Sequence, residues 1–203
     1  MGLDYDPANG WIWQASGDSN NGEIVTVDPE DGSYTHRFYV PDVVGTPGVE
    51  GTGVHYDGDD QYLYVTEWDM NRYLPDGTKD SSAGFDNDSY GSCFAEGFLW
   101  TLCEDGLIHC WSVQEWPDLE EVTSAAFSPP ADSCRGLWHD GDYFWSAQAF
   151  ESAAGNIYRF DSEGTVIDQW QAPAFTGWSA CVYDGYPSSL NPATWGEIKS
   201  SMH

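Results

Sequence analysis

The sequence predicts an all-β fold assembled from tandem antiparallel sheets, and three observations carry that prediction. One short segment recurs along the chain, an aromatic strand follows most copies of it across an acidic, Gly-containing turn, and no helical periodicity runs through the region.

The recurring segment reads Gly2-Leu3-Asp4-Tyr5-Asp6, Gly53-Val54-His55-Tyr56-Asp57-Gly58, Ser92-Cys93-Phe94-Ala95-Glu96-Gly97, Gly136-Leu137-Trp138-His139-Asp140-Gly141 and Ala180-Cys181-Val182-Tyr183-Asp184-Gly185. Each copy is a short strand that runs into a turn. Four continue into an aromatic strand, namely Trp11-Ile12-Trp13, Tyr62-Leu63-Tyr64-Val65, Phe98-Leu99-Trp100 and Tyr143-Phe144-Trp145. Asp-Gly between apolar runs is hairpin chemistry, because Gly accepts the positive φ that a tight turn needs.

A third strand is predicted at Glu23-Ile24-Val25-Thr26-Val27-Asp28, Asn71-Arg72-Tyr73-Leu74, Leu107-Ile108-His109-Cys110-Trp111 and Asn156-Ile157-Tyr158-Arg159-Phe160-Asp161. A fourth follows clearly in three units, as in Thr165-Val166-Ile167-Asp168-Gln169-Trp170. The markers Leu3, Val54, Cys93, Leu137 and Cys181 stand 51, 39, 44 and 44 residues apart. That spacing suits four strands per unit with loops of variable length. The predicted architecture is therefore a β-propeller of four complete four-stranded blades plus one extra strand of a fifth, spanning residues 1–186, with a C-terminal tail over 187–203.

The pattern Gly136-Leu137-x-x-Asp140-Gly141 followed by Ile157-Tyr158-x-Phe160-Asp161-x-x-Gly164 resembles the repeat of secreted bacterial propellers, including the NHL-like and glutaminyl-cyclotransferase-like groups. The resemblance covers residues 2–186. It implies the fold and a secreted or cell-surface location, and leaves the activity open among the many that propellers carry.

The incomplete fifth repeat is the most informative departure from regularity. Its strand, Ala180-Cys181-Val182-Tyr183, has no evident partner, because the first repeat already carries its own first strand. An unpaired strand is an association site. Three arrangements follow: a four-bladed ring with an appended strand, a five-bladed ring cut short, or a ring completed by another subunit. The third makes the protein its own partner, as a homo-oligomer or a polymer. Trp195, in the tail Asn191-Pro192-Ala193-Thr194-Trp195-Gly196, is a further docking candidate.

Charge removes other classes. Against 34 Asp and Glu stand 6 Lys and Arg, a formal net charge of −28 over 203 residues. Such a surface repels a phosphate backbone, so nucleic acid is excluded as a partner. Aromatics make up 16% of the chain, enough apolar area to separate it from a disordered acidic segment. No apolar run is long enough for a membrane span, and Met1-Gly2-Leu3-Asp4 is not a signal peptide, so export implies that the leader is absent from this chain.

No nucleophile elbow, phosphate loop or zinc-protease helix motif occurs in the sequence. The catalytic set is therefore empty in the leading reading, a noncatalytic extracellular or cell-surface propeller acting in binding or self-assembly. A rival enzyme of glutaminyl-cyclotransferase or lactonase type would draw first on Glu67, His139 and Asp57. A second rival is a carbohydrate-binding lectin with a glycan partner. Trp13, Tyr64, Trp100 and Trp145 recur at one repeat position and are read as core between blades. Trp68, Trp116, Trp138 and Trp178 fall outside that column, and Trp68, Trp138, His139 and Trp178 are the candidate ligand-binding residues.

Asp57, Asp59 and Asp60 form an oxygen-rich turn suited to Ca²⁺, the one cofactor the composition suggests, although turns are rich in Asp, Asn and Gly without any metal. Of five cysteines, Cys103 and Cys110 flank Glu104-Asp105-Gly106-Leu107 and are expected either to bridge adjacent strands as a disulfide or to lie as buried thiols.

Overall fold

The computed structural model describes residues 3–6, 9–17, 22–40, 53–57, 62–66, 69–84, 89–148 and 155–171. They form four antiparallel four-stranded sheets, each a simple meander in chain order. Blade 1 contains β1 (Leu3–Asp6), β2 (Trp11–Gly17), β3 (Gly22–Val27) and β4 (Tyr34–Val40). Blade 2 contains β5 (Gly53–Asp57), β6 (Tyr62–Thr66), β7 (Asp69–Tyr73) and β8 (Lys79–Gly84). Blade 3 contains β9 (Ser89–Ala95), β10 (Phe98–Cys103), β11 (Ile108–Ser112) and the two-residue β12 (Glu120–Glu121). Blade 4 contains β13 (Cys134–His139), β14 (Phe144–Gln148), β15 (Asn156–Phe160) and β16 (Val166–Gln171).

The first strands of successive blades pack on one another, β1 on β5, β5 on β9 and β9 on β13. The fifth-repeat strand predicted at 180–183, and the tail with it, lies outside the described residues. No helix among the described residues is long and apolar enough to cross a membrane.

Alternation along each second strand puts successive side chains on opposite faces, one toward the following blade and one toward the preceding blade. Trp13, Ala15 and Ile24 of blade 1 meet Leu63, Val65 and Tyr73 of blade 2. Tyr64 and Met70 leave blade 2 on its other face to meet Leu99 of blade 3. Trp100 and Cys110 leave blade 3 to meet Phe144, Tyr158 and Phe160 of blade 4. A middle blade is thus apolar on both faces, and β6 and β10 read as nearly continuous apolar runs, with Thr66 at the end of one and a buried Thr101 within the other, rather than as half-polar strands. Each fully buried Leu99 or Phe160 contributes about 1.5–3 kcal/mol by removal from water.

The seam between blades 3 and 4 is tight at the backbone. A Cβ at Gly91 would lie 2.5 Å from the Leu137 amide nitrogen and 2.6 Å from the Gly136 Cα, so only glycine lets β9 approach β13 this closely. Gly136 sits in a β-bulge that inserts one residue between Arg135 and Trp138 in the pairing with β14.

The acidic turns hold themselves together. Asp31 accepts the Ser33 amide, Asp76 the Thr78 amide, Asp105 the Leu107 amide, and Asp161 the amides of Glu163 and Thr165. Hydrogen bonds from Ser33 and Thr78 hold the Asp31 and Asp76 carboxyls below their ordinary pKa. These carboxylates are therefore engaged by their own turn backbone.

The arginines are used inside the fold. Arg37 lies over Trp11, Arg72 over Tyr62 and Trp116, Arg135 over Tyr90, and Arg159 over Tyr143 and Trp145, so every arginine of the chain rests on an aromatic ring.

Candidate functional site

Trp13, Tyr64 and Trp100, three members of the predicted core column, are 2%, 1% and 6% exposed. Each is covered by the blade that follows. The fourth member, Trp145, is only half-buried. It opposes Trp138 on β13 and Arg159 on β15, and Arg159 in turn opposes Asp168 on β16. The face of blade 4 that points away from blade 3 therefore carries an aromatic and guanidinium surface.

Its rings are ordered among themselves. Trp145 and Trp170 stack with centroids 5.2 Å apart and planes 9° from parallel, while Trp138 lies tilted at 6.1 Å from Trp145. Arg159 sits 5.0 Å from the Tyr143 ring and 5.7 Å from the Trp145 ring, and donates to Asp168 Oδ2. Asp140, in the turn before β14, accepts the Trp145 indole N–H at 2.7 Å, which fixes that ring on the face. Trp170 is 36% exposed.

Trp138 and His139, two of the four candidate ligand-binding residues, are divided by the pleat. Trp138 is buried on the same face as Trp145, whereas His139 points the other way, toward blade 3, with its ring edge-on to Phe144 at 4.7 Å. The His139 Nδ1 accepts the Gly141 amide at 3.2 Å. Burial pushes its pKa below the ordinary histidine value, against the opposite pull of Asp140, Glu96 and Asp142. Adjacent residues of one strand do not share a pocket, so the two are not one site. Trp116, expected at a surface site, is instead half-buried between blades 2 and 3, its indole N–H donating to Ser81 Oγ at 2.6 Å.

Trp68, Trp178, Glu67, Asp59 and Asp60 lie outside the described residues, as do Ala180, Cys181, Val182, Tyr183 and Trp195. Asp57 closes β5 opposite Tyr62. Among the described residues, no group of three or more His, Cys, Asp or Glu is placed to hold a metal ion.

Of the two expectations for Cys103 and Cys110, the structure has the buried thiols and not the disulfide, and the register explains why. The Cys103 amide donates to Leu107, while Cys110 pairs with Trp100. The turn therefore consists of Glu104, Asp105 and Gly106, with Gly106 at φ 80°, one residue shorter than the sequence suggested. Cys103 then sits three places along β10 from the partner of Cys110, on the opposite face and about 10 Å away at the usual strand rise. Burial raises the pKa of Cys93, Cys110 and Cys134, that of Cys110 to about 11, which makes them poor nucleophiles.

A cluster that sequence reasoning missed lies on blade 3. His109 Nδ1 is 2.6 Å from Glu121 Oε1, and its Nε2 is 2.9 Å from Asp105 Oδ2. Two carboxylates on the two ring nitrogens call for a doubly protonated imidazolium. Burial opposes the charge, but the hydrogen bonds to Glu121 and Asp105 and their charges outweigh it, and the pKa is raised. The imidazolium ties the β10–β11 turn to the short outer strand β12.

No family model and no curated protein matches the chain. Among solved structures, Myxococcus xanthus glutaminyl cyclase is similar at 14% identity with a TM-score of 0.59, over 80% of this chain and 67% of that one. A luciferin-regenerating enzyme is similar at 14% identity and TM-score 0.54, over 87% of this chain and 63% of that one. A chain of a nidogen/laminin complex follows at 13% identity and TM-score 0.51, over 85% and 63%. The chain thus spans 63–67% of the length of these three structures. The likeness is one of fold, an all-β propeller-type arrangement of four-stranded sheets.

Proposed function

We propose that this chain is a noncatalytic propeller module, extracellular or at the cell surface, that works by association through the outward face of blade 4. The observation that carries the reading is the contrast within one column: Trp13, Tyr64 and Trp100 are shielded by a following blade, and Trp145 with its stacked neighbour Trp170 is not fully shielded. Exposed aromatic surface beside a guanidinium is the composition of protein interfaces rather than of solvated edges. The fifth-repeat strand, Ala180 to Tyr183, and Trp195 are the segments expected to take part alongside it.

The test is the native mass by light scattering, for the full chain and for a form lacking residues 178–203. A large particle that collapses on truncation supports assembly through the strand or tail, and one that survives truncation but dissociates in Trp170→Ala supports assembly through the blade face. A monomer at every concentration removes the proposal. The glutaminyl-cyclotransferase or lactonase alternative would then be pursued at Glu67 and His139, and a glycan-binding alternative by sugar quenching of tryptophan fluorescence.

A further inference from the structure

Blade 3 completes its sheet with only two residues, Glu120 and Glu121, and the rest of residues 113–133 forms a strap that reaches both neighbouring blades. At its leading end Trp116 enters the seam with blade 2, its indole N–H on Ser81 Oγ, its ring edge-on to Tyr64 at 5.4 Å and under Arg72 at 4.8 Å. At its trailing end Phe127 enters the seam with blade 4, its ring 5.6 Å from Phe144 and 6.1 Å from Phe160. The Ser128 carbonyl beside it stands 2.6 Å from where a Cβ on Gly164 would lie, so the strap also closes on the β15–β16 turn.

Between these anchors the strap is lightly held. The Val122 amide donates to Cys110, Ile108 and Phe127 exchange two backbone bonds, and β12 adds the pairs Trp111 with Glu121 and Ser112 with Glu120. Glu120, Thr123 and Ser124 are exposed, and the 3₁₀ turn Thr123–Ala125 buries none of its residues. The charged tie across this stretch is His109, whose Nδ1 meets Glu121 of the strap while its Nε2 meets Asp105 of the β10–β11 turn.

Protonation decides that tie. An imidazolium donates to both carboxylates at once, whereas a neutral ring has a single N–H and leaves one carboxylate facing a lone pair. The Asp105 carboxylate is kept in place by its own turn, since Oδ1 accepts the Leu107 amide at 3.0 Å. Glu121 has solvent to turn into, its side chain being 32% exposed against 9% for His109, so it is the partner that leaves. Among the described residues, the charges acting on His109 are those of Asp105 and Glu121. Glu104, Glu115, Asp118 and Glu120 on the adjoining elements are exposed, and Arg72 and Asp80 of blade 2 are paired with each other. The Cys110 thiol, pushed up to about 11 by burial, stays protonated where histidines titrate.

We infer that His109 is the proton-operated latch of this strap: as an imidazolium it clamps Glu121 and holds residues 113–127 along β11, and on losing its proton it lets the β12 stretch open locally while the four blades stay folded. The latch is independent of the association proposed above. Its sign follows from the raised pKa of the ring: it is closed below the ordinary histidine value of 6.5 and opens as pH rises through the higher folded value.

The experiment is hydrogen exchange on the full chain from about pH 6 to about pH 9, read by mass spectrometry and corrected for the intrinsic rate at each pH, beside the NMR titration of His109. Expected is a loss of protection of about tenfold or more over residues 113–127, centred on the His109 titration, with β10 unchanged. Asp105→Asn leaves Glu121 in place and is expected to move both midpoints to lower pH together. Glu121→Gln is expected to shrink the pH-dependent loss, and far-UV circular dichroism checks that both variants are folded. Protection over 113–127 that stays flat across the range in the unmodified chain overturns the latch, whatever the variants do. A loss of protection whose midpoint does not follow the His109 titration in Asp105→Asn overturns it as well.

Discussion

Trp100 and Trp145 occupy the same place in successive blades and live in different surroundings. Trp100 lies edge-on to Phe144 at 5.1 Å and to Phe127 at 6.0 Å, donates its N–H to the Ala95 carbonyl at 3.2 Å, and is 6% exposed. Trp145 has an indole partner in its own blade, an arginine over its ring and a carboxylate on its N–H, and remains half-buried. Where the following blade is present, apolar packing covers the ring. On blade 4, which no further blade follows among the described residues, the blade surrounds its tryptophan with polar and aromatic neighbours of its own. In a repeat fold, burial belongs to a pair of neighbours rather than to a sequence position.

The comparison is broken most severely by truncating the two rings. Trp100→Ala is expected to lower stability by about 3–5 kcal/mol, the range for emptying a large core site, and Trp145→Ala by well under half as much. Urea unfolding of both variants reads the difference directly, and equal losses would refute the distinction. Gly91→Ala should cost about 1–3 kcal/mol, because its methyl would meet β13 backbone that cannot rotate away. The same change at Gly84, where a Cβ meets nothing within 4 Å, is expected to cost less, and near-identical midpoints would show that the blade 3 to blade 4 seam can open.

Arg72→Met, which removes a cation lying over Tyr62 and Trp116 and bonded to Asp80 at 2.6 Å, is expected to lose about 1 kcal/mol at the blade 2 to blade 3 seam. Arg159→Met on the outward face should lose less by the same assay. The smallest effect concerns His109. Its pKa is raised on folding, so its contribution is complete below the unfolded value near 6.5 and is lost as pH rises through the higher folded value. A histidine resonance that titrates above its ordinary range, and that is absent in His109→Asn, is the expected signature. The Tm of the unmodified chain should fall across that window more than that of the variant.

The fold was largely legible because its signals are local. Asp-Gly turns, alternation and the recurring aromatic placed four blades, and the strands fall close to where those signals put them. What escaped depends on register or on distant contacts. A three-residue turn in place of a four-residue one put Cys103 and Cys110 on opposite faces, since a shift of one residue reverses every side chain beyond it. Trp116 meets Ser81 and Arg72 across a seam between blades that no local pattern encodes. The His109 cluster required Glu121, twelve residues away, to return on β12. Trp145 looked like core because its repeat position is core elsewhere, and only the arrangement of blades leaves it half-buried, with no following blade among the described residues.

The arginines bear on how the molecule meets its environment. With all four guanidinium groups lying on rings, and Arg72 and Arg159 also paired with Asp80 and Asp168, little of their positive charge is left uncompensated, while most acidic groups in the turns face solvent. Toward its surroundings the protein behaves as a compact polyanion wrapped in an atmosphere of small mobile cations. Any partner, including another copy, first encounters that atmosphere, and the composition of the medium sets how close it comes.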